Sequence, residues 1–200
     1  MSQDFVYLAS GSPRRRELLQ QIGVSFRVVG MEVDEAVLPD ETPSAYVTRL
    51  AAAKAVAGWE RSRDAHQVPV LAADTAVVLD GQILGKPADR KGAEGMLRQL
   101  SGRTHEVLTA VALRTTDGLQ SRISRSEVTF RSIAAAEAYA YWETGEPSDK
   151  AGAYAIQGRG AIFVADLRGS YSGVMGLPLF ETAELLRRAG VAHWHGRGQP

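Results

Sequence analysis

The chain has 200 residues, 44% of them hydrophobic, and balances 23 basic against 23 acidic side chains with no cysteine. That length and apolar content bury one real core, so a single α/β domain over residues 1–192, with a polar, Gly-rich tail at 193–200, is the expectation. Neutral overall charge disfavours a nucleic-acid polymer as partner but not a small anion. The missing cysteines exclude disulfides, thiolate nucleophiles and Cys-ligated zinc. No apolar run approaches the roughly 18 residues of a membrane helix and no leader pattern is visible, which points to a cytoplasmic protein without a membrane partner.

In chain order, Phe5 to Ala9 reads as a buried strand that ends in the turn Ser10-Gly11-Ser12-Pro13. Ser12 suits an N-cap and Pro13 a first helical position, while Leu18, Leu19 and Ile22 carry helical spacing up to Gly23. Arg14, Arg15 and Arg16 therefore fall at a helix start, where the helix dipole disfavours cations. A bound anion resolves that conflict, because free N–H groups and guanidiniums together form a phosphate site in which Ser10, Arg14 and Arg15 would take part. A solvated basic face is the plain alternative. Phe26 to Val29 is a second predicted strand, and the acidic segment Met31 to Glu35 follows. A helix is expected from Thr42-Pro43-Ser44 to about Val56, with Tyr46, Val47, Leu50 and Lys54 near one face.

Val68 to Ala73 reads as a strand that ends or breaks at Asp74-Thr75 and resumes over Ala76 to Leu79. It then turns at Asp80-Gly81 and returns through Ile83-Leu84 as a hairpin. Asp89 caps a predicted helix over Arg90 to Leu100, with Gly102 just beyond. Val107 to Arg114 and Ile123 to Phe130 alternate like strands joined across Asp117-Gly118. Ala134 to Glu143 reads as a helix, Tyr154 to Ile156 and Ile162 to Val164 as short strands, and Pro178 to Ala189 as a closing helix. Alternating helices and strands imply an α/β fold with a mixed sheet.

Asp74 is the most pointed candidate for chemistry. A carboxylate inside an apolar run is costly unless it is paired or metal-bound, so it reads as a metal ligand or general base, or else as a strand-end turn residue. Glu35 adds a second carboxylate, and Lys54 and Lys86 add cations, although each alone fits a solvated surface position. Gln157 precedes Gly158 in a Gly-rich stretch, where its amide could pair with a base edge. The four histidines form no metal pattern, and neither a P-loop nor a GxGxxG turn is present.

Taken together, LASGSPRRRELL, VDE at 33–35, AADT at 72–75, Lys86-Pro87, DKAGAYAIQG at 149–158 and GSYSGVMGLP at 169–178 resemble the Maf family in order and spacing, roughly from Tyr7 to Leu186. The resemblance implies a nucleoside triphosphate pyrophosphatase that needs a divalent cation, Mg²⁺ or Mn²⁺. It also implies an elongated two-lobed fold with a central cleft, similar to inosine triphosphate pyrophosphatases, and a homodimer. It makes Asp74 the catalytic proton acceptor, with Arg14, Thr75 and Gln157 setting specificity. Arg15, Lys54 and Lys86 then lie near the phosphates, and Glu35 near the metal. AYAIQG resembles the dTTP/UTP subgroup, with Ala155 where glycine is expected. 7-Methyl-GTP cleavage, or a nucleotide-binding role in septum formation with little catalysis, are the alternatives. Direct attack by water suits a chain without a thiol or histidine nucleophile.

Overall fold

In the computed structural model, which describes residues 4–62, 68–192 and 194, the first apolar run forms β1 (Val6–Leu8) and leads into α1 (Pro13–Gln21). The following elements are β2 (Phe26–Val28), α2 (Pro43–Arg61), β3 (Val70–Leu79), β4 (Gln82–Leu84) and α3 (Arg90–Leu100). The second half contributes β5 (Thr104–Thr115), β6 (Gly118–Phe130), α4 (Ala135–Glu143), β7 (Val164–Arg168), α5 (Tyr171–Met175) and α6 (Leu179–Arg188). The expected tail lies outside the described residues except for Trp194.

The strands form one seven-stranded mixed sheet in the order β2-β1-β3-β5-β6-β7, with β4 also paired to β3. β1 runs parallel to β2 and β3, and the other pairings are antiparallel. The expected mixed α/β sheet with flanking helices is thus observed. Two strand expectations need correction. β3 runs unbroken through Asp74 and Thr75, because Asp74 pairs with Ala110 and Thr75 with Thr109 in a continuous ladder to β5. Tyr154 to Ile156 is not a strand, and residues 159–163 form a 3-10 turn before β7 begins. Those residues are apolar because they dock into the core: Tyr154, Ala155, Ile156 and Phe163 are all buried.

Alternation along β3 divides the core. Val70, Ala72, Ala76 and Val78 face α2, packing with Val47, Ala51 and Ala55. On the other face, Leu71 and Ala73 join α1 and α6 through Leu18, Leu19, Leu185 and Leu186. Further along the same face, Val77 and Leu79 join α3 and α4 through Ala93, Leu97, Leu100 and Ala138. Thr75 falls between these two apolar packs, and so does its ladder partner Thr109.

One edge of β3 is interrupted. β1 covers it as far as Leu71, and β4 takes it up again at Val77. Ala72 to Ala76 have β5 on one side and no strand on the other. The fold places its cleft at this gap.

Candidate active site

The cleft is about 550 Å³ in volume, and its lining includes Asp74 and Thr75 together with Ser10, Arg14, Arg15, Glu35, Lys54, Lys86 and Gln157. Every site residue expected from the sequence therefore meets in one cavity. Adjacent strand residues point to opposite faces, so a turn at Asp74 would be needed for both it and Thr75 to reach one ligand on a closed sheet. The gap in the β3 edge removes that need, since a ligand at the gap can reach both faces.

On the α2 face, Lys54 is buried and its Nζ lies 2.6 Å from Asp74 Oδ1 and 2.5 Å from Glu35 Oε1. One ammonium thus joins the strand carboxylate to the loop carboxylate. Their environments push the two acids apart. Burial raises the Asp74 carboxyl above its ordinary range against the pull of Lys54 and Arg15. The Lys54 hydrogen bond holds the half-exposed Glu35 below its ordinary range. A pair separated in this way has one member suited to accept a proton near its working pH, here Asp74.

α2 also secures the segment that carries Glu35. Tyr46 donates its hydroxyl to the Glu35 carbonyl at 3.1 Å. Arg49 forks onto Glu41 with two bonds of 2.6 Å and reaches the Ala36 carbonyl at 3.0 Å. Tyr46 was visible in the sequence only as a helix-face residue, and Arg49 carried no signal, because its partners are eight and thirteen residues away in a loop of irregular backbone.

The three arginines have different fates. Arg14 lines the cleft, and among the described residues its ion-pair contact is a long one of 3.7 Å to Asp149. Arg15 is an anchor: it donates to the Gly176 carbonyl at 2.8 Å, to Ser10 Oγ at 3.2 Å and to Thr75 Oγ1 at 3.3 Å. Thr109 continues this chain, donating its hydroxyl to the Gly173 carbonyl at 2.7 Å with its Oγ1 3.0 Å from Thr75 Oγ1. Arg16 folds back to the Gly11 carbonyl at 2.9 Å. Ser12 is the N-cap of α1 by backbone conformation, but its side chain makes no capping bond, so the first N–H groups of the helix have no side-chain acceptor there. Ser10 Oγ accepts from both Ser12 N and Arg15, each at 3.2 Å, which leaves its O–H to donate. An uncapped helix start beside guanidiniums and a hydroxyl donor suits phosphate.

Lys86 lines the cleft without an ion-pair partner among the described residues. Lys150, half-buried and paired with Asp149, adds a further cation to the lining that the sequence reading missed. The stretch from Asp149 to Gln157 is docked against β3. Gly152 has φ +67, its N–H donates to the Gly85 carbonyl at 3.0 Å, and a Cβ there would stand 2.9 Å from Val77 Cγ1. Only glycine allows that approach. Ala155, the departure from the expected glycine, is buried; within this stretch the non-glycine residue with positive φ is Ala153, at φ +60. Tyr154 is fixed from behind by His105, with 2.9 Å between its Oη and Nε2, and burial lowers the imidazole to about 4, which keeps it neutral at neutral pH. Gln157 is exposed, and its amide has no hydrogen-bond partner among the described residues.

No group of three or more His, Cys, Asp or Glu side chains among the described residues is placed to hold a metal. Mg²⁺ is often held by one or two carboxylates together with substrate phosphates. Asp74 and Glu35, converging on one cation, fit that donor set rather than an all-protein cage. No helix among the described residues is long and apolar enough to cross a membrane.

Known proteins resemble this chain closely. The "dTTP/UTP pyrophosphatase" of Methylococcus capsulatus is 56% identical over 184 residues, covering 92% of this chain and 90% of that protein. The protein of the same description from Pseudoalteromonas atlantica is 51% identical, covering 93% and 97%, and that from Alkalilimnicola ehrlichii is 53% identical, covering 94% and 96%. Among solved structures, the Staphylococcus aureus Ham1 protein aligns over 65% of this chain and 72% of its own at 15% identity and a TM-score of 0.41, too loose a likeness to carry weight. A family model described as Maf-like protein matches residues 5–189, a span that contains every cleft residue named above, and the chain belongs to that family.

Proposed function

We propose that this protein hydrolyses dTTP and UTP to the nucleoside monophosphate and pyrophosphate. The observation that carries the reading is the Lys54-bridged pair of Asp74 and Glu35 at a gap in the sheet, in a cleft that Arg14, Lys86 and Lys150 also line. The names of relatives more than half identical to this chain support the pyrimidine substrates. A triphosphate carries about four negative charges, so its binding needs such cations.

Asp74 accepts a proton from the attacking water as the water oxygen bonds to phosphorus and the α–β phosphoanhydride bond breaks. The uncapped start of α1, Ser10 Oγ–H and Arg14 hold phosphate oxygens, and Lys86 and Lys150 supply further positive charge. Arg15 keeps Thr75 and the α1 turn in place. Asp74 and Glu35 would hold a divalent cation, which when bound neutralises phosphate charge and lowers the pKa of coordinated water. Gln157 faces the base. A cytoplasmic homodimer is the assembly we propose with this activity.

The test is pyrophosphate release from a panel of dTTP, UTP, dCTP, dATP, dGTP and 7-methyl-GTP, with Mg²⁺ or Mn²⁺ and after chelation. Faster turnover of dTTP and UTP, abolished by chelator and restored by metal, is expected. Equal rates across the panel overturn the base assignment. Faster turnover of 7-methyl-GTP overturns it in favour of the alternative, and turnover unaffected by chelator overturns the metal.

A further inference from the structure

Gln157 presents an unpartnered amide, which can turn either its donor or its acceptor toward a base. Selection between bases then depends on how firmly the backbone around Gln157 is held. Two side chains that do not line the cleft hold it. Tyr141, buried on α4, donates its hydroxyl to Glu146 Oε1 at 2.6 Å and accepts from the Ala155 N–H at 3.1 Å. The Glu146 carboxylate accepts from Arg159 N at 3.0 Å through Oε2 and from Gly160 N at 3.1 Å through Oε1. Backbone on both sides of Gln157 is thereby tied to a single Glu–Tyr pair. The fit is tight: a Cβ on Gly158 would stand 2.3 Å from Glu146 Oε2, and one on Gly160 would stand 2.6 Å from Tyr141 Oη.

We propose that Glu146 and Tyr141 are positioning residues for base selection, acting through the backbone of residues 155–160 on Gln157. The inference rests on the dTTP/UTP reading above. Only a carboxylate supplies two acceptor oxygens to the converging Tyr141, Arg159 and Gly160 donors. An amide in its place turns an N–H₂ donor toward one of them.

The test compares Glu146→Gln, Tyr141→Phe and Glu146→Asp with the wild-type enzyme, measuring kcat and KM for dTTP and dCTP and the inhibition constant of inorganic triphosphate, a probe without a base. Glu146→Gln and Tyr141→Phe are expected to lower the dTTP-to-dCTP ratio of kcat/KM by about tenfold, mainly through a higher KM for dTTP, as loss of a partly buried hydrogen-bond frame would. The triphosphate inhibition constant should stay the same, and Glu146→Asp should restore part of the ratio. Gly158→Ala keeps both clamp side chains in the sequence but drives a Cβ against the Glu146 carboxylate, and is expected to reproduce the loss, which keeps the test decisive if a clamp variant fails to fold. An unchanged ratio in the variants overturns the proposal. So does an equal loss of kcat on both nucleotides together with a shifted triphosphate constant, the signature of general damage to the cleft. A wild-type enzyme without preference for dTTP over dCTP overturns the parent reading, and is recognised before any variant is measured.

Discussion

Replacing Lys54 with Met tests the charge arrangement at the sheet gap most directly. At 2.6 Å, with an effective dielectric of about 20, the screened attraction between Lys54 and Asp74 is roughly 6 kcal/mol, and desolvation of the two ions offsets much of it. Removing the ammonium alone leaves Asp74 buried, with Arg15 as a remaining compensating charge. Stranding one member of a buried pair costs about 3–5 kcal/mol, and Arg15 places this site at the lower end. For a chain of this size each kcal/mol shifts Tm by about 2–4 °C, so Lys54→Met should melt roughly 6–12 °C below wild type at neutral pH. pH gives a second readout. The folded-state pKa of Asp74 lies above its ordinary 3.8, so between those values the native state holds more protons than the unfolded one. Stability from this group is therefore lost as pH rises through that window. Lys54→Met raises the Asp74 pKa further, so its deficit should shrink as pH falls and Asp74 takes up its proton. Adding Asp74→Asn should recover most of the lost Tm. Calorimetry on the single and double variants from about pH 5 to about pH 8 is the assay. The reasoning is refuted if Lys54→Met melts with wild type at neutral pH, or if the double variant is no more stable than the single one.

Asp74→Asn alone should lower kcat by about 10²–10⁴ on dTTP while leaving Tm unchanged or higher, because it removes a desolvated charge and Lys54 keeps Glu35 as its partner; near-normal turnover would sink the proton-acceptor role. Arg14→Ala and Arg15→Ala should separate. The first should keep the ligand-free Tm and lose most of the stabilisation by a non-hydrolysable triphosphate, whereas the second should lower the ligand-free Tm itself, since Gly176, Ser10 and Thr75 lose a donor worth about 1–3 kcal/mol. Identical melting behaviour in the two variants would contradict the division between a ligand-binding and an anchoring arginine.

Much of the fold was legible because local chemistry and tertiary packing agreed. Asp89 caps α3 by accepting from Gly92 N at 2.8 Å, and Asp80-Gly81 turns the hairpin, as their residue types suggest. Asp74 was legible as a site residue for a physical reason, a carboxylate inside an apolar run. The same feature made the strand look broken, because pattern alone does not reveal a buried lysine twenty residues earlier that lets the strand continue through the charge. The stretch at 154–156 was misread because burial by docking against a core leaves the same apolar trace as a strand. Arg15 and Arg14 are adjacent and identical in type, so only the position of the folded partners of Arg15, Gly176 among them, distinguishes the anchored residue from the one left facing the cleft. Lys150, paired with its neighbour Asp149, was missed because such a pair looks like any solvated surface pair in the sequence, and the Glu146–Tyr141 pair because Ala155, Arg159 and Gly160 reach it only on folding.

The interrupted edge of β3 also bears on how the molecule avoids its own kind. Five residues, Ala72 to Ala76, leave one ladder side open between β1 and β4. An open strand edge is a template on which another chain can add a strand. Here the opening is short, ends against a strand on each side, and is flanked by Lys54 on one face and Arg15 on the other. Two strand ends and the two cations beside the opening favour a compact, multiply charged anion over a neutral peptide. The opening that exposes both faces of the sheet to the cleft is thereby a poor seed for aggregation.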